Sequence, residues 1–215
     1  MPNRVLINQA TEVVQFRHKN LLLFWSFLVV LGYGAMVFYS AAPAKSSAGV
    51  GHFPLANSIS VNPLSLRTDG LTLITFLHPQ CPCSRATVSE LQNLLSRNPG
   101  LENVPLSAFA VVSRPSGCNE SFAQGAIVDS LKDIANLTVV IDKDDIESQR
   151  FGAVTSGQTL LFDKSGKCIF NGGITRARGE IGENAGTESL SKLIAGNRTA
   201  IEKTPVFGCS LESNP

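Results

Sequence analysis

Residues 71–97 read LTLITFLHPQCPCSRATVSELQNLLSR. Leu71 to Leu77 is a short apolar run with β-branched members, the pattern of a buried strand. Beyond Cys83, Val88, Leu91, Leu94 and Leu95 recur at helical spacing, and Asn98-Pro99-Gly100 is a stop signal. Cys81 and Cys83 therefore fall where a strand ends and a helix begins. A helix N-terminus carries unpaired amide N–H groups and a partial positive charge. Both favour a thiolate, the nucleophilic form of cysteine. Pro82 between the two thiols is tolerated at a first helical position.

The rest of the chain extends this unit. Val104–Val112 is expected to be a strand, 122–134 a helix and 138–141 a strand, with one or two helical turns in 142–150. Gln158–Phe162 and Lys167–Phe170 flank Asp163-Lys164-Ser165-Gly166, a hairpin turn, and a last helix is expected over 187–195. The early alternation of strand and helix implies a parallel core built from crossovers, and the hairpin adds an antiparallel edge. The expected class is α/β, with a mixed central sheet and helices on both faces.

Two thiols this close can exchange with a substrate disulfide through a mixed intermediate, the second releasing the first. Strand FLHPQ, then CPCS, then an amphipathic helix resembles the thioredoxin-like superfamily. The stretch from Phe151 through Gln158 to Lys167 resembles that superfamily's strand–hairpin–strand element, and the likeness covers about residues 60–197. Within it, the apolar N-terminal segment, Cys-Pro-Cys-Ser, Thr155-Ser156-Gly157, the stretch GGITRARGE at 172–180 and Val206-Phe207-Gly208-Cys209 are most similar to membrane-anchored bacterial RedB-type proteins. The resemblance implies a three-layer thioredoxin-like fold. It also implies a thiol–disulfide oxidoreductase in which Cys81 attacks, as the more exposed N-terminal thiol, and Cys83 resolves. Two departures stand out. The spacer between the cysteines is one residue rather than two. Gln158 also occupies the place of the superfamily's cis-proline, and since a cis peptide before a non-proline residue is costly, this loop is expected to be trans.

Upstream, Leu21 to Tyr39 reads LLLFWSFLVVLGYGAMVFY without a charged residue, long enough as a helix to cross a bilayer core. Arg17, His18 and Lys19 precede it, so the N-terminus is expected inside and the following domain outside the cytoplasm, at a cell (inner) membrane. Ala42-Pro43-Ala44 would suit signal cleavage. The length of the apolar run and of the segment before it favours a retained anchor. The expected organisation is a cytoplasmic segment over 1–20, a transmembrane helix over 21–39 and a linker over 40–60. A thioredoxin-like domain over 61–197 and a tail over 198–215 follow. The formal net charge of the chain is +1, which gives no field for nucleic acid. Protein thiols or disulfides, and the membrane through the N-terminal helix, are the expected partners.

Other residues offer further readings. His78 lies three positions before Cys81, and with Cys81 and Cys83 would make a soft-donor set for Cu(I), the basis of an alternative non-enzymatic copper-binding module. A strand-end histidine bonded to backbone is the simpler role. Cys209, in the tail, is either a resolving thiol, a third ligand, or a structural thiol paired with Cys118 or Cys168. Arg176 and Arg178 in GGITRARGE suit an anion grip or a loop held by Arg–Glu pairs. No P-loop, dinucleotide fingerprint or nucleophile elbow appears, so no cofactor is expected.

Overall fold

The computed structural model describes residues 3–45, 64–97, 105–197 and 200–211. Most of the expected linker and the Asn98-Pro99-Gly100 stop lie outside them. The chain divides into two compact units, Met1–Ala42 and Pro43–Pro215. The first is a single helix, α1 (Asn3–Ala41), 39 residues long. Its segment Lys19–Ala41 is long and apolar enough to cross a membrane, and its apolar side chains from Leu21 to Tyr39 are uncovered by protein.

The second unit runs β1 (Leu71–Leu77), α2 (Ser84–Arg97), β2 (Leu106–Arg114), α3 (Ala126–Lys132), β3 (Leu137–Lys143), α4 (Ile146–Arg150), β4 (Gln158–Phe162), β5 (Cys168–Gly173) and α5 (Ala185–Ile194). The sheet order is β3-β2-β1-β4-β5. β1, β2 and β3 are parallel, while β4 and β5 run antiparallel to their neighbours. The sheet is mixed, with helices packed against it, as expected for the α/β class.

β1 is the central strand and is covered on both faces, which explains its apolar reading, interrupted only by the buried Thr72 and Thr75. Leu73 and Leu77, with Ala110 and Val112 of β2, face α2, α3 and α5. Ile74 and Phe76, with Phe109 and Val111, face the other way onto Phe151, Phe162, Leu64 and Leu211. The Phe76, Phe151 and Phe162 rings form a chain with centroids 5.9 and 5.7 Å apart. The second face is thin in helix. Among the described residues, Phe151 and Ala153 just after α4, Leu64, and Leu211 of the tail cover it.

Several boundaries differ from the sequence reading. The expected helix over 122–134 is broken into a 3-10 turn, Glu120–Ala123, and α3. Gly125 has φ +113°, a conformation through which no right-handed helix runs. β2 runs on to Arg114, because Ser113 and Arg114 pair with Asp142 and Lys143 of β3. β5 continues to Gly173, because Gly172 and Gly173 pair with Thr159 and Gln158.

Candidate active site

Strand β1 delivers the chain to a tight turn before α2 starts at Ser84. In that turn Cys81 N–H donates to His78 O (3.2 Å), Ser84 N–H to Cys81 O (3.0 Å) and Ala86 N–H to Cys83 O (3.1 Å). The cysteines thus stand just ahead of the helix. The turn is braced by two buried hydroxyls. Ser84 Oγ donates to His78 O (3.0 Å) and lies 2.8 Å from Ser156 Oγ, which accepts from His78 N–H (2.9 Å). Gly157 N–H donates to Phe76 O (2.7 Å), joining the loop before β4 to the end of β1.

A third thiol completes the site. The segment after α5 folds back along the loop before β4. Thr155 and Ser210 form an antiparallel bridge, Ser156 N–H donates to Cys209 O (2.8 Å) and Leu211 N–H to Val154 O (2.9 Å). Upstream, Thr204 Oγ1 donates to Gly173 O (2.8 Å). Close backbone approach explains the glycines here. A Cβ on Gly208 would lie 1.9 Å from Ser156 O, and one on Gly172 2.1 Å from Thr204 Oγ1. The result is that Cys209 Sγ touches Cys81 Sγ at 2.7 Å.

The electrostatics of the three thiols are linked. Burial alone would raise Cys81. Hydrogen bonds outweigh it, first from the Cys209 thiol, then from the Cys209 and Cys83 backbone and the Ser84 hydroxyl, and its pKa lies below the ordinary thiol value. Burial and then the neighbouring Cys81 raise Cys83, with Arg178 opposing. Burial and the bond it gives to Cys81 push Cys209 up to about 12, again with Arg178 opposing. Arg178 also donates through Nη1 to Gly208 O, directly before Cys209.

Several expectations change. Cys81 is not the more exposed thiol: it is 2% exposed, because Cys209 lies on it, whereas Cys83 is half-buried. His78 turns away from a ligand role. Its Nδ1 accepts from Gln80 N–H (3.2 Å), its ring stands edge-on to Phe122 at 5.5 Å, and burial lowers its pKa with Asp145 opposing. Among the described residues no group of three His, Cys, Asp or Glu is set to hold a metal ion. Gln158 is fully buried, with Nε2 donating to Asn171 Oδ1 (3.0 Å) and Oε1 accepting from Val154 N–H (3.3 Å). The peptide before it is trans. Ser156, two residues earlier, is the one that meets the turn. Pro82 lies in that turn, its carbonyl accepting from Arg85 N–H at 3.4 Å. Cys118 and Cys168 are free thiols outside this group, and Cys168 Sγ bonds to Phe170 O (3.1 Å). The sequence reading missed Arg178 as a member of the site. Its signal was the Gly-rich stretch 172–180, where Arg176 makes the expected pair, with Glu180.

No protein-family model and no curated protein matches this chain. Solved structures do. An uncharacterised conserved protein of Geobacillus kaustophilus superposes with TM-score 0.55 at 16% identity, over 81% of this chain and 94% of its own. A hypothetical protein of Sinorhizobium meliloti 1021 gives TM-score 0.52 at 14% identity, over 80% of this chain and 94% of its own. At these identities the likeness shows the fold. A secreted Mycobacterium tuberculosis disulfide oxidoreductase homologous to E. coli DsbE gives TM-score 0.40 at 15% identity, over 63% of this chain and 84% of its own.

Proposed function

We propose that this chain is a membrane-tethered thiol–disulfide oxidoreductase whose thioredoxin-like domain lies outside the cytoplasm. One observation carries the reading: Cys81, at the start of the helix that follows the central strand, has a lowered pKa and a second thiol against it. The thiolate is the attacking species, and an adjacent thiol is what releases a mixed disulfide. Cys81 would attack a protein disulfide, forming a Cys81–substrate bond and expelling one substrate thiolate. A second thiol of the site would then attack Cys81 Sγ, freeing the other substrate thiol. Cys209 Sγ lies 2.7 Å from Cys81 Sγ, and Cys83 of the Cys-Pro-Cys motif stands two residues on in the same turn.

The apolar helix with Lys19 at its N-terminal end supports the tether and the outward placement. The RedB-type likeness fits the same picture, since it rests on an anchor followed by Cys-Pro-Cys-Ser. The copper-binding alternative, on Cys81, Cys83 and possibly His78, has no such support, since no group of three metal-ligating side chains is set to hold an ion among the described residues.

The test is reduction of insulin disulfides by dithiothreitol with the full chain in detergent micelles as catalyst. Wild type should accelerate the reaction, and Cys81→Ser should return it to the uncatalysed rate while keeping the same circular dichroism. Equal rates for wild type and Cys81→Ser would reject the proposal.

A further inference from the structure

We propose that the working disulfide of this site closes between Cys81 and Cys209, with the C-terminal segment serving as a built-in arm that carries the resolving thiol. This rests on the oxidoreductase reading above and assigns the partner of Cys81 within it.

Three independent features point to Cys209 rather than Cys83. The first is contact, since the Cys81 and Cys209 sulfurs are 2.7 Å apart. The second is construction. The segment 204–211 is held on both sides of Cys209, by Arg178 and Ser156 on Gly208 and Cys209, and by Val154 and Thr155 on Leu211 and Ser210. Gly208, Gly172 and Gly173 each lie where a Cβ would meet backbone or side-chain atoms at 2.5 Å or less, so these positions are shaped to admit the arm. The third is the turn itself. Only Pro82, with its fixed φ, separates Cys81 from Cys83, and both flanking carbonyls are committed to α2's first turn. A bridge between them would have to close a very small ring.

The steps balance. Cys81 thiolate attacks a substrate disulfide R–S–S–R′, the R′ thiolate leaves, and Cys81–S–S–R forms. Cys209 then loses its proton to water and attacks Cys81 Sγ. The R thiolate leaves, and Cys81–S–S–Cys209 remains. Two electrons pass from the protein dithiol to the substrate disulfide, and the two leaving thiolates take up the two protons released by Cys81 and Cys209. Dithiothreitol, or another dithiol, restores the protein. Timing follows from charge. While Cys81 is a thiolate it holds the Cys209 proton. Once Cys81 is bonded to substrate that hold is gone; burial still disfavours the Cys209 thiolate, and Arg178 beside it opposes that burial.

The experiment has two arms on the full chain in micelles. In the first, the reduced protein is oxidised with diamide, alkylated, digested and mapped by mass spectrometry. A cross-linked peptide pair joining Cys81 to Cys209 is expected, and a Cys81–Cys83 bridge as the main product overturns the proposal. In the second, Cys83→Ser and Cys209→Ser are each exposed to insulin. Cys209→Ser should accumulate at least tenfold more Cys81 mixed disulfide than Cys83→Ser, and the reverse ranking overturns the assignment while leaving the oxidoreductase reading in place. Should no variant react with insulin, the oxidoreductase reading fails, and the diamide map still decides the pairing.

Discussion

Arg178 donates to the carbonyl of Gly208, so a side chain from the loop after β5 fixes the residue that precedes Cys209. The same guanidinium lowers the pKa of Cys83 and of Cys209 against the burial that raises both. Charge and anchoring can be separated. Arg178→Met should raise both thiols further and slow iodoacetamide alkylation of Cys83 several-fold at pH 8. Arg178→Lys keeps the charge but loses the planar fork. It should restore most of the alkylation rate yet form the Cys81–Cys209 cross-link less efficiently. Peptide-resolved alkylation rates against pH check both, and identical profiles for the two variants would contradict the division of roles.

Gly208 has no room for a side chain, since its Cβ would meet Ser156 O at 1.9 Å. Gly208→Ala must push the arm off the loop before β4. Overpacking of this kind costs about 1–3 kcal/mol, or roughly 3–10 °C for a domain of this size. Thermal melting of the reduced protein should show that loss, together with faster alkylation of Cys81, whose cover is displaced. A Gly208→Ala protein that melts with wild type and still shields Cys81 would mean the arm is not seated as described.

Asp145 gives a pH prediction. Its carboxyl is buried, accepts from Ser113 Oγ (2.6 Å) and sits at φ +53°. Burial raises its pKa above the ordinary 3.8, the Ser113 bond opposes, and Asp142 adds repulsion. The folded chain therefore holds this proton more tightly than the unfolded chain. The stability it contributes is whole below about pH 3.8 and is lost as pH rises through the folded pKa. Asp145→Asn keeps an acceptor for Ser113 and tolerates the left-handed backbone. Its denaturant midpoint should match wild type at pH 3.5 and exceed it increasingly towards pH 7. Loss of the negative charge should also move His78 titration lower, since Asp145 is what partly offsets the burial of that imidazole. NMR of the His78 ring reads this directly.

The fold was legible where local pattern and tertiary environment agree. β1 read as a strand from Leu71 to Leu77 because a strand covered on both faces needs only apolar residues. α2 read as a helix because its stripe is what packs on β1 and α3. The cysteine turn was legible for the same reason, as it lies between two strong local signals. What the sequence did not convey is long-range. The contact of Cys81 with Cys209 joins positions 128 residues apart. No periodicity links them, and the odd cysteine count says only that one thiol is left over. Arg178 was hidden in the same way, since Arg176 and Arg178 look alike in sequence. Only the path of the arm makes one a surface ion pair with Glu180 and the other a member of the site. Gln158 shows the converse. Its sequence position suggested the site, but β4 pairing turns its amide onto Asn171.

Oxidation state should govern stability in a way that separates the two candidate bridges. A disulfide stabilises mainly by restricting the unfolded chain, and more so for a longer loop. Closing Cys81 to Cys209 spans 128 positions, for which chain entropy gives about 5 kcal/mol. Distortion and residual unfolded structure lower such values in practice, so about 2–5 kcal/mol is the expected range. At about 2–4 °C per kcal/mol for a domain of this size, oxidised wild type should melt roughly 5–20 °C above the reduced protein. A Cys81–Cys83 bridge encloses a single residue and constrains almost nothing. Cys83→Ser should therefore keep the full gain on oxidation, while Cys209→Ser should lose it. Differential scanning calorimetry of wild type and the two variants, each oxidised and reduced, measures this, and a gain that survives in Cys209→Ser but vanishes in Cys83→Ser would refute the long-range pairing.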